Sequence, residues 1–153
     1  MKETKSLSNL FDQFYHGAPW LDVNITGELN KLTADQAAAR VLANCNTIWE
    51  IVNHLIGWRE NILERLQGKT KRSPADNYFS PVKDTSTKAW LLTLQKLEKS
   101  QQKWLTLFEN YEVNKLHDTI PPGKYSAYEL MHGILQHDSY HLGQIVLLAK
   151  QYQ

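Results

Sequence analysis

Apolar residues recur every three or four positions through most of this chain, which is the spacing of one face of an α-helix. The clearest case begins at Thr47, where a capping box with Glu50 precedes an apolar stripe, and it ends before Gly68. That stripe consists of Ile48, Ile51, Val52, Leu55, Ile62 and Leu66. We predict one long helix over this stretch.

Three more segments carry the same periodicity. They predict long helices over residues 6–16, 86–109 and 126–150, and the last of them begins with another capping box. No segment shows the convincing apolar–polar alternation of a β-strand. The sequence therefore predicts an all-α fold, in which four main helices form a bundle and all 153 residues belong to a single domain.

The segments between these helices are harder to assign. Residues 20–32 fit either a short helix or a packed loop, and a capping box at Thr33 predicts a short helix after it. Residues 68–85 form a long connection, which Tyr78 and Phe79 are suited to pack. A connection of this length in a compact domain is often functional, and it leaves the order and handedness of the bundle open.

Composition limits the classes of function. Hydrophobic residues make up 42% and charged residues 22%, as in an ordinary soluble domain, and a net charge of +1 argues against a nucleic-acid binder. The polar start of the chain and the lack of any run of about 18 apolar residues give no sign of a leader or a membrane span. With its single cysteine the chain forms no internal disulfide. We therefore expect a cytoplasmic protein.

Two histidines in the predicted last helix are the strongest chemical signal. His137 and His141 are four residues apart, so both project from one face of the helix, one turn apart. Two imidazoles on an apolar face are costly unless their nitrogens find partners, and a divalent metal ion would satisfy one nitrogen of each. The apolar residues that continue this face are Leu130, Ile134, Ile145 and Leu148.

His54 is the best candidate for a third ligand. It lies in the middle of the second long helix and shares a face with Ile51 and Trp58. Three histidines from two helices would leave at least one coordination position for water or substrate, which is typical of a catalytic site. Imidazole suits Zn, Ni, Cu or Fe. The alternative is a metal-free core in which the three histidines bond to protein groups.

Two further residues are weaker candidates for the chemistry. Asp138 stands where the metalloprotease motif H-E-x-x-H has its general-base glutamate, but it is one methylene shorter. It is a candidate base, and a better candidate for a partner that orients a ligand imidazole. Gln144 is a candidate hydrogen-bond partner of a ligand or of metal-bound water, or else a polar residue at the helix boundary.

The other reactive or aromatic side chains are assigned to the core or the surface. We expect Cys45 to be a buried, inert thiol and not a metal ligand. His16, His117 and His132 are expected to be structural or surface residues. One of the tryptophans is a candidate for the mouth of a pocket, the rest being core aromatics; the four considered are Trp49, Trp58, Trp90 and Trp104.

Two stretches resemble a known family. The last helix contains His137-Asp-Ser-Tyr-His141-Leu-Gly-Gln144-Ile, which is similar to the H-x-x-Y-H-x-G-Q-I pattern that ends the DinB-like (YfiT-like) metalloprotein superfamily. The stretch Thr47-Ile-Trp-Glu-Ile-Val-Asn-His54 resembles the pattern around the single histidine of that family's second helix.

The resemblance implies both a fold and a function. It implies an up-down-down-up four-helix bundle, often dimeric, with His54, His137 and His141 as the metal triad. Known family activities are thiol-dependent: S-transfer from bacillithiol, mycothiol or glutathione, and a mycothiol-dependent maleylpyruvate isomerisation. We therefore expect a homodimer that binds a divalent metal ion, Zn or Ni, and takes a low-molecular-weight thiol and a small electrophile, with no nucleic-acid or membrane partner. The alternatives are a metal-dependent hydrolase and a non-enzymatic helical module with a structural metal site.

Overall fold

The computed structural model describes residues 3–152, and these residues are 64% helical with no strand, which confirms the all-α prediction. Four helices are long: α1 (Glu3–His16), α4 (Ile48–Leu66), α5 (Thr87–Asn110) and α6 (Ala127–Ala149). Two are short, α2 (Ile25–Leu29) and α3 (Ala34–Ala38), and 3-10 turns cover Val113–Lys115 and Lys150–Tyr152. Within the described part of the chain, no helix combines the length and apolar character needed to cross a membrane.

The helices begin where side chains can cap them. At the start of α4 the hydroxyl of Thr47 accepts from the amide of Glu50 at 3.1 Å, and the Glu50 carboxylate accepts from the amide of Thr47 at 2.7 Å. The boxes predicted at Thr33 and Ser126 are formed in the same way. Residues 20–32, which the sequence left between helix and loop, contain the short helix α2, capped by Asn24.

Helix α4 occupies the centre of the packing. It contacts both α5 and α6, while α1 packs mainly on α5. Its stripe is accordingly buried, with Val52 and Leu55 fully covered. One apolar cluster surrounds Leu55 and Trp90, and a second surrounds Trp104 and includes Ile62. Because α4 and α6 are neighbours, side chains from the middle of each come within bonding distance.

The segment between α4 and α5 folds back onto α4. The ring of Tyr78 lies directly over Gly57, where a Cβ atom would stand 2.3 Å from Tyr78 Cγ. Asn61 donates a hydrogen bond to the Tyr78 hydroxyl at 2.9 Å, and Phe79 packs against the core. Asn77 and Tyr78 have φ angles of 52° and 65°, in the left-handed region that non-glycine residues seldom adopt. The surrounding contacts therefore hold these two residues in a costly conformation.

Candidate metal centre

The structure brings the three predicted histidines together. His54 comes from α4, and His137 and His141 come from consecutive turns of α6. One ring nitrogen of each lies within 4.8 Å of the others, and Nε2 of His54 is 2.9 Å from Nε2 of His137. His54 and His141 are buried, while His137 is half-buried. The spacing on α6 and the packing of α4 against α6 thus produce one cluster of imidazoles.

Two of the rings are fixed by an oxygen on their outer nitrogen. Nδ1 of His54 is 2.6 Å from the carbonyl oxygen of Asn77, and Nδ1 of His141 is 2.7 Å from Oε1 of Gln144. These oxygens can only accept, so each Nδ1 carries the proton and donates it. Both Nε2 atoms are therefore unprotonated, and their lone pairs point toward the cluster. This is the arrangement in which ligand histidines are held at metal sites.

The third ring is oriented by its sequence neighbour. Nδ1 of His137 is 3.2 Å from Oδ1 of Asp138, a carboxylate that also accepts from a protonated Nδ1. The other oxygen of Asp138, Oδ2, accepts from Nε of Arg59 at 2.6 Å. The side chains of Asp138 and Arg59 are both 0% exposed. Asp138 thus lies behind the cluster, with protein partners on both of its oxygens.

These residues fit a divalent metal ion. With every Nδ1 protonated, the Nε2 lone pairs of His54 and His137 face each other at 2.9 Å and repel unless a cation lies between them. Burial lowers the pKa of His54 to about 4, and burial also lowers the pKa of His141. At neutral pH both rings are therefore neutral, which is the form that binds a metal. Three imidazoles form a donor set for Zn²⁺ and for Ni²⁺.

A network behind Asp138 joins the triad to the rest of the bundle. Nη1 of Arg59 donates to Oε1 of Gln101 at 2.9 Å, and Nε2 of Gln101 donates to the carbonyl oxygen of Phe11 at 3.2 Å. Arg59 was not predicted from the sequence, although a signal was present. Position 59 continues the buried stripe of α4, and a charge on an apolar stripe requires a buried partner.

Residues 77–79 cover the triad from the side of the α4–α5 segment. The ring of Phe79 stacks on His54 with 3.9 Å between centroids and 9° between planes. The side-chain oxygen of Asn77 accepts from Nε1 of Trp58 at 2.9 Å, while its main-chain oxygen holds His54. A packing role for Phe79 was predicted from the sequence, but the role of Asn77 was not, because its only signal was the length of the connection.

A cavity of about 650 Å³ lies between α4 and α6, with His137 in its wall. Trp58 also lines this cavity, and its ring centroid is 6.3 Å from that of His137. Of the four tryptophans considered from the sequence, Trp58 is therefore the one that lines this cavity. His132 lines the cavity five residues before His137 and does not belong to the triad. A small molecule in this cavity would therefore meet the triad at His137.

Comparison with protein-family models matches residues 24–145 to the DinB superfamily, a span that includes the whole triad and Gln144. The chain belongs to the DinB superfamily. Comparison with curated proteins found no match, and comparison with solved structures found none either. The family and the histidine triad together fit a metal-binding DinB-like protein.

Cys45, His16 and His117 do not belong to the triad of this DinB-superfamily chain. Cys45 is exposed, so the prediction of a buried thiol was wrong. It lies in a turn before α4, where its amide bonds to the Leu42 carbonyl and its own carbonyl oxygen accepts from Arg40, outside the apolar stripe. His16 ends α1 near Asp12, and His117 packs on Tyr128.

Proposed function

We propose that this DinB-superfamily protein is a metal-dependent enzyme that transfers a low-molecular-weight thiol to a small electrophile. The observation that carries the proposal is the incomplete, accessible ligand set: three histidines, one of which has 25% of its side chain exposed and lines a cavity. Structural zinc sites are closed by four protein ligands, whereas catalytic sites keep an open position. A site that served only to hold α4 and α6 together would need no cavity beside it.

The metal is proposed to be zinc or nickel, held by Nε2 of each triad histidine. When bound, it would lower the pKa of a thiol in its open position and so supply a thiolate at neutral pH. The chain's own residues keep the three rings in place: the Asn77 carbonyl holds His54, and Gln144 holds His141. Asp138 holds His137, and its buried charge is balanced by Arg59.

In the proposed reaction a bond forms between the thiol sulfur and an electrophilic carbon of the substrate. The bond from that carbon to its leaving group breaks, the leaving group keeps the electron pair, and the thiol proton passes to solvent. The cavity wall at Trp58 and His137 would position the electrophile beside the triad. Effective positioning of two reactants is itself a large part of catalysis.

The hydrolase alternative has less support. Hydrolysis in the manner of H-E-x-x-H enzymes needs a carboxylate that can take a proton from water. Oδ2 of Asp138 accepts from Arg59 and Oδ1 faces His137, and no part of the side chain is exposed. This environment suits a residue that positions His137 more than a general base.

A conjugation assay tests the proposal. Protein loaded with Zn²⁺ or Ni²⁺ would be mixed with a chlorodinitrobenzene and, in turn, with glutathione, bacillithiol, mycothiol and cysteine. We expect at least one thiol to react faster than without protein, and the acceleration to disappear with a chelator and in His54→Ala. Cys45→Ser is the control for direct reaction of the exposed thiol, and it should retain the activity. Loaded protein that accelerates none of these reactions would contradict the transferase.

We further infer from the resemblance that the four long helices run up-down-down-up and that the protein is a cytoplasmic homodimer. The hydrogen bonds between Trp49 and Thr93 and between Arg59 and Gln101 support the first inference, because later positions of α4 pair with later positions of α5, as in parallel helices. The exposed apolar side chains of Tyr140 and Leu147 on α6 support the second. Light scattering on the purified protein should give twice the mass of the chain, and the mass of a single chain would contradict the dimer.

A further inference from the structure

The cavity beside His137 has walls that define a class of substrate. We propose that it binds the electrophile of the transfer reaction, and that this electrophile is an uncharged molecule with an aromatic ring. The inference rests on the proposed function, because it assigns a substrate to the same site. The evidence for it is the volume of the cavity, the side chains that line it and the charge of those side chains.

The walls are mainly apolar, and three of their side chains are aromatic. Trp58 and Ile62 come from α4, and the facing wall comes from α6 and the residues before it. A volume of about 650 Å³ falls within the range of roughly 300–1,000 Å³ that is usual for small-molecule sites. A ring enclosed by aromatic side chains gains both apolar burial and favourable ring–ring contacts. The apolar and aromatic residues of the wall on the α6 side are Tyr125, Tyr128, Leu130 and Ile134.

The charge of the walls disfavours an anion. Among the described residues that line the cavity there is one carboxylate, Glu129, and neither lysine nor arginine. Arg65 and Lys124 lie outside this lining: a Cβ atom at Gly123 would stand 2.8 Å from Nη2 of Arg65, and Nζ of Lys124 is 5.4 Å from the centre of the Tyr125 ring. A bound carboxylate would lose its water shell without gaining a cationic partner from the walls.

The same walls offer polar contacts to a neutral substituent. Gln136 and His132 line the cavity along α6 and can donate to, or accept from, a carbonyl, nitro or amide group. Uncharged groups of this kind also activate an adjacent carbon toward attack by a thiol. The side chains therefore suit a neutral electrophile whose activating group is itself a hydrogen-bond acceptor.

Gly133 leaves bare backbone in the cavity wall. A Cβ atom at this position would meet no other atom within 4 Å, so neighbouring side chains do not require a glycine there. Glycine inside a helix costs roughly 0.5–1 kcal/mol relative to alanine. A flat ring lying against the surface of α6 would use the space that a side chain would otherwise fill.

Two matched compounds test the inference by binding alone. Acetonaphthone and naphthoate share one ring system, but only naphthoate is anionic at pH 7. We would measure their binding to the metal-free protein by calorimetry and by tryptophan fluorescence. We expect acetonaphthone to bind at least about tenfold more tightly, a difference of roughly 1.4 kcal/mol. Equal or tighter binding of naphthoate, or no saturable binding of acetonaphthone, would overturn the inference.

Glycine substitutions on α6 locate the binding site. Gly133→Leu places a side chain in the cavity and should weaken acetonaphthone binding at least about tenfold. Gly143→Leu is the matched control, since Gly143 has no neighbour within its own chain and lies outside the cavity; the mass of this variant in solution is measured too, because Gly143 shares a face of α6 with Tyr140 and Leu147. If Gly133→Leu fails to fold, Tyr128→Leu removes one aromatic wall and should weaken binding too. Unchanged binding in the folded variant would overturn the assignment.

The two proposals fail in different ways. If acetonaphthone binds selectively but no thiol is conjugated to any electrophile, the proposed transferase fails and the cavity assignment stands. If an anionic electrophile is conjugated faster than its neutral analogue, the transferase stands and the substrate class is wrong. Binding to the metal-free protein separates these cases, because it depends on the cavity and not on the chemistry.

Discussion

Arg59 and Asp138 form an ion pair that is fully buried, with Nε of Arg59 2.6 Å from Oδ2 of Asp138. The second oxygen of Asp138 lies 3.2 Å from Nδ1 of His137, so the pair is connected directly to the histidine triad. Buried ion pairs often add little net stability, because the loss of hydration offsets their attraction. We therefore explain the pair by its role in orienting His137 and not by a contribution to stability.

Removing the carboxylate of Asp138 should reveal two separate effects, one on the free energy of unfolding and one on metal affinity. In Asp138→Leu the guanidinium of Arg59 stays buried without its partner, and the free energy of unfolding should fall by about 3–5 kcal/mol. Adding Arg59→Met should recover most of that loss, because no buried charge remains. Both variants should bind metal about 10–100-fold more weakly, since His137 has lost its acceptor. Urea unfolding of the metal-free proteins and competition with a coloured chelator measure the two quantities. Wild-type metal affinity in the double variant would refute the orienting role.

Gln144 should matter for the metal and little for the fold. Gln144→Leu removes the oxygen that accepts from Nδ1 of His141, and we expect metal affinity to fall about 10–100-fold. The free energy of unfolding should change by only about 1 kcal/mol, the usual effect of one hydrogen bond. Gln102→Leu, which removes one exposed side-chain hydrogen bond on α5, is the control for metal binding. An equal loss of affinity in both variants would show that the effect is not specific to His141.

Gly57 permits the α4–α5 segment to cover the triad. In Gly57→Ala the new methyl group would stand 2.3 Å from Tyr78 Cγ, so residues 77–79 must shift and the hydrogen bond from His54 to Asn77 should break. We expect a lower melting temperature and faster proteolysis of this segment. Gly143→Ala should instead stabilise the protein by roughly 0.5–1 kcal/mol, because its methyl group meets nothing. If both variants are stabilised, the contact between Tyr78 and Gly57 is not important.

Local signals in the sequence were sufficient for the helices and for the three histidines. Capping boxes fixed the starts of α4 and α6, and the position of His137 and His141 on an apolar stripe required a partner for their nitrogens. Arg59 carried the same kind of signal on α4. It could have been assigned as a buried partner, but not to Asp138, because that pairing depends on how α4 and α6 are packed.

Other features depend on contacts between distant parts of the chain. The carbonyl of Asn77 is a main-chain group whose direction follows from a left-handed residue in an irregular segment. The cavity forms between α4 and α6, and the periodicity of each helix does not predict how the two helices pack. Cys45 was misplaced because a small apolar side chain was assumed to be buried, although it precedes the helical stripe.

The most direct test of the metal centre is the metal content of untagged protein and two histidine variants. Wild type should hold about one divalent ion per chain, His54→Ala should lose it, and His132→Ala, which changes a histidine of α6 outside the triad, should retain it. Elemental analysis after equilibration with Zn²⁺ or Ni²⁺ gives the three values. Full retention of the metal in His54→Ala, or a wild-type protein that takes up none, would contradict the assignment of His54, His137 and His141 as its ligands.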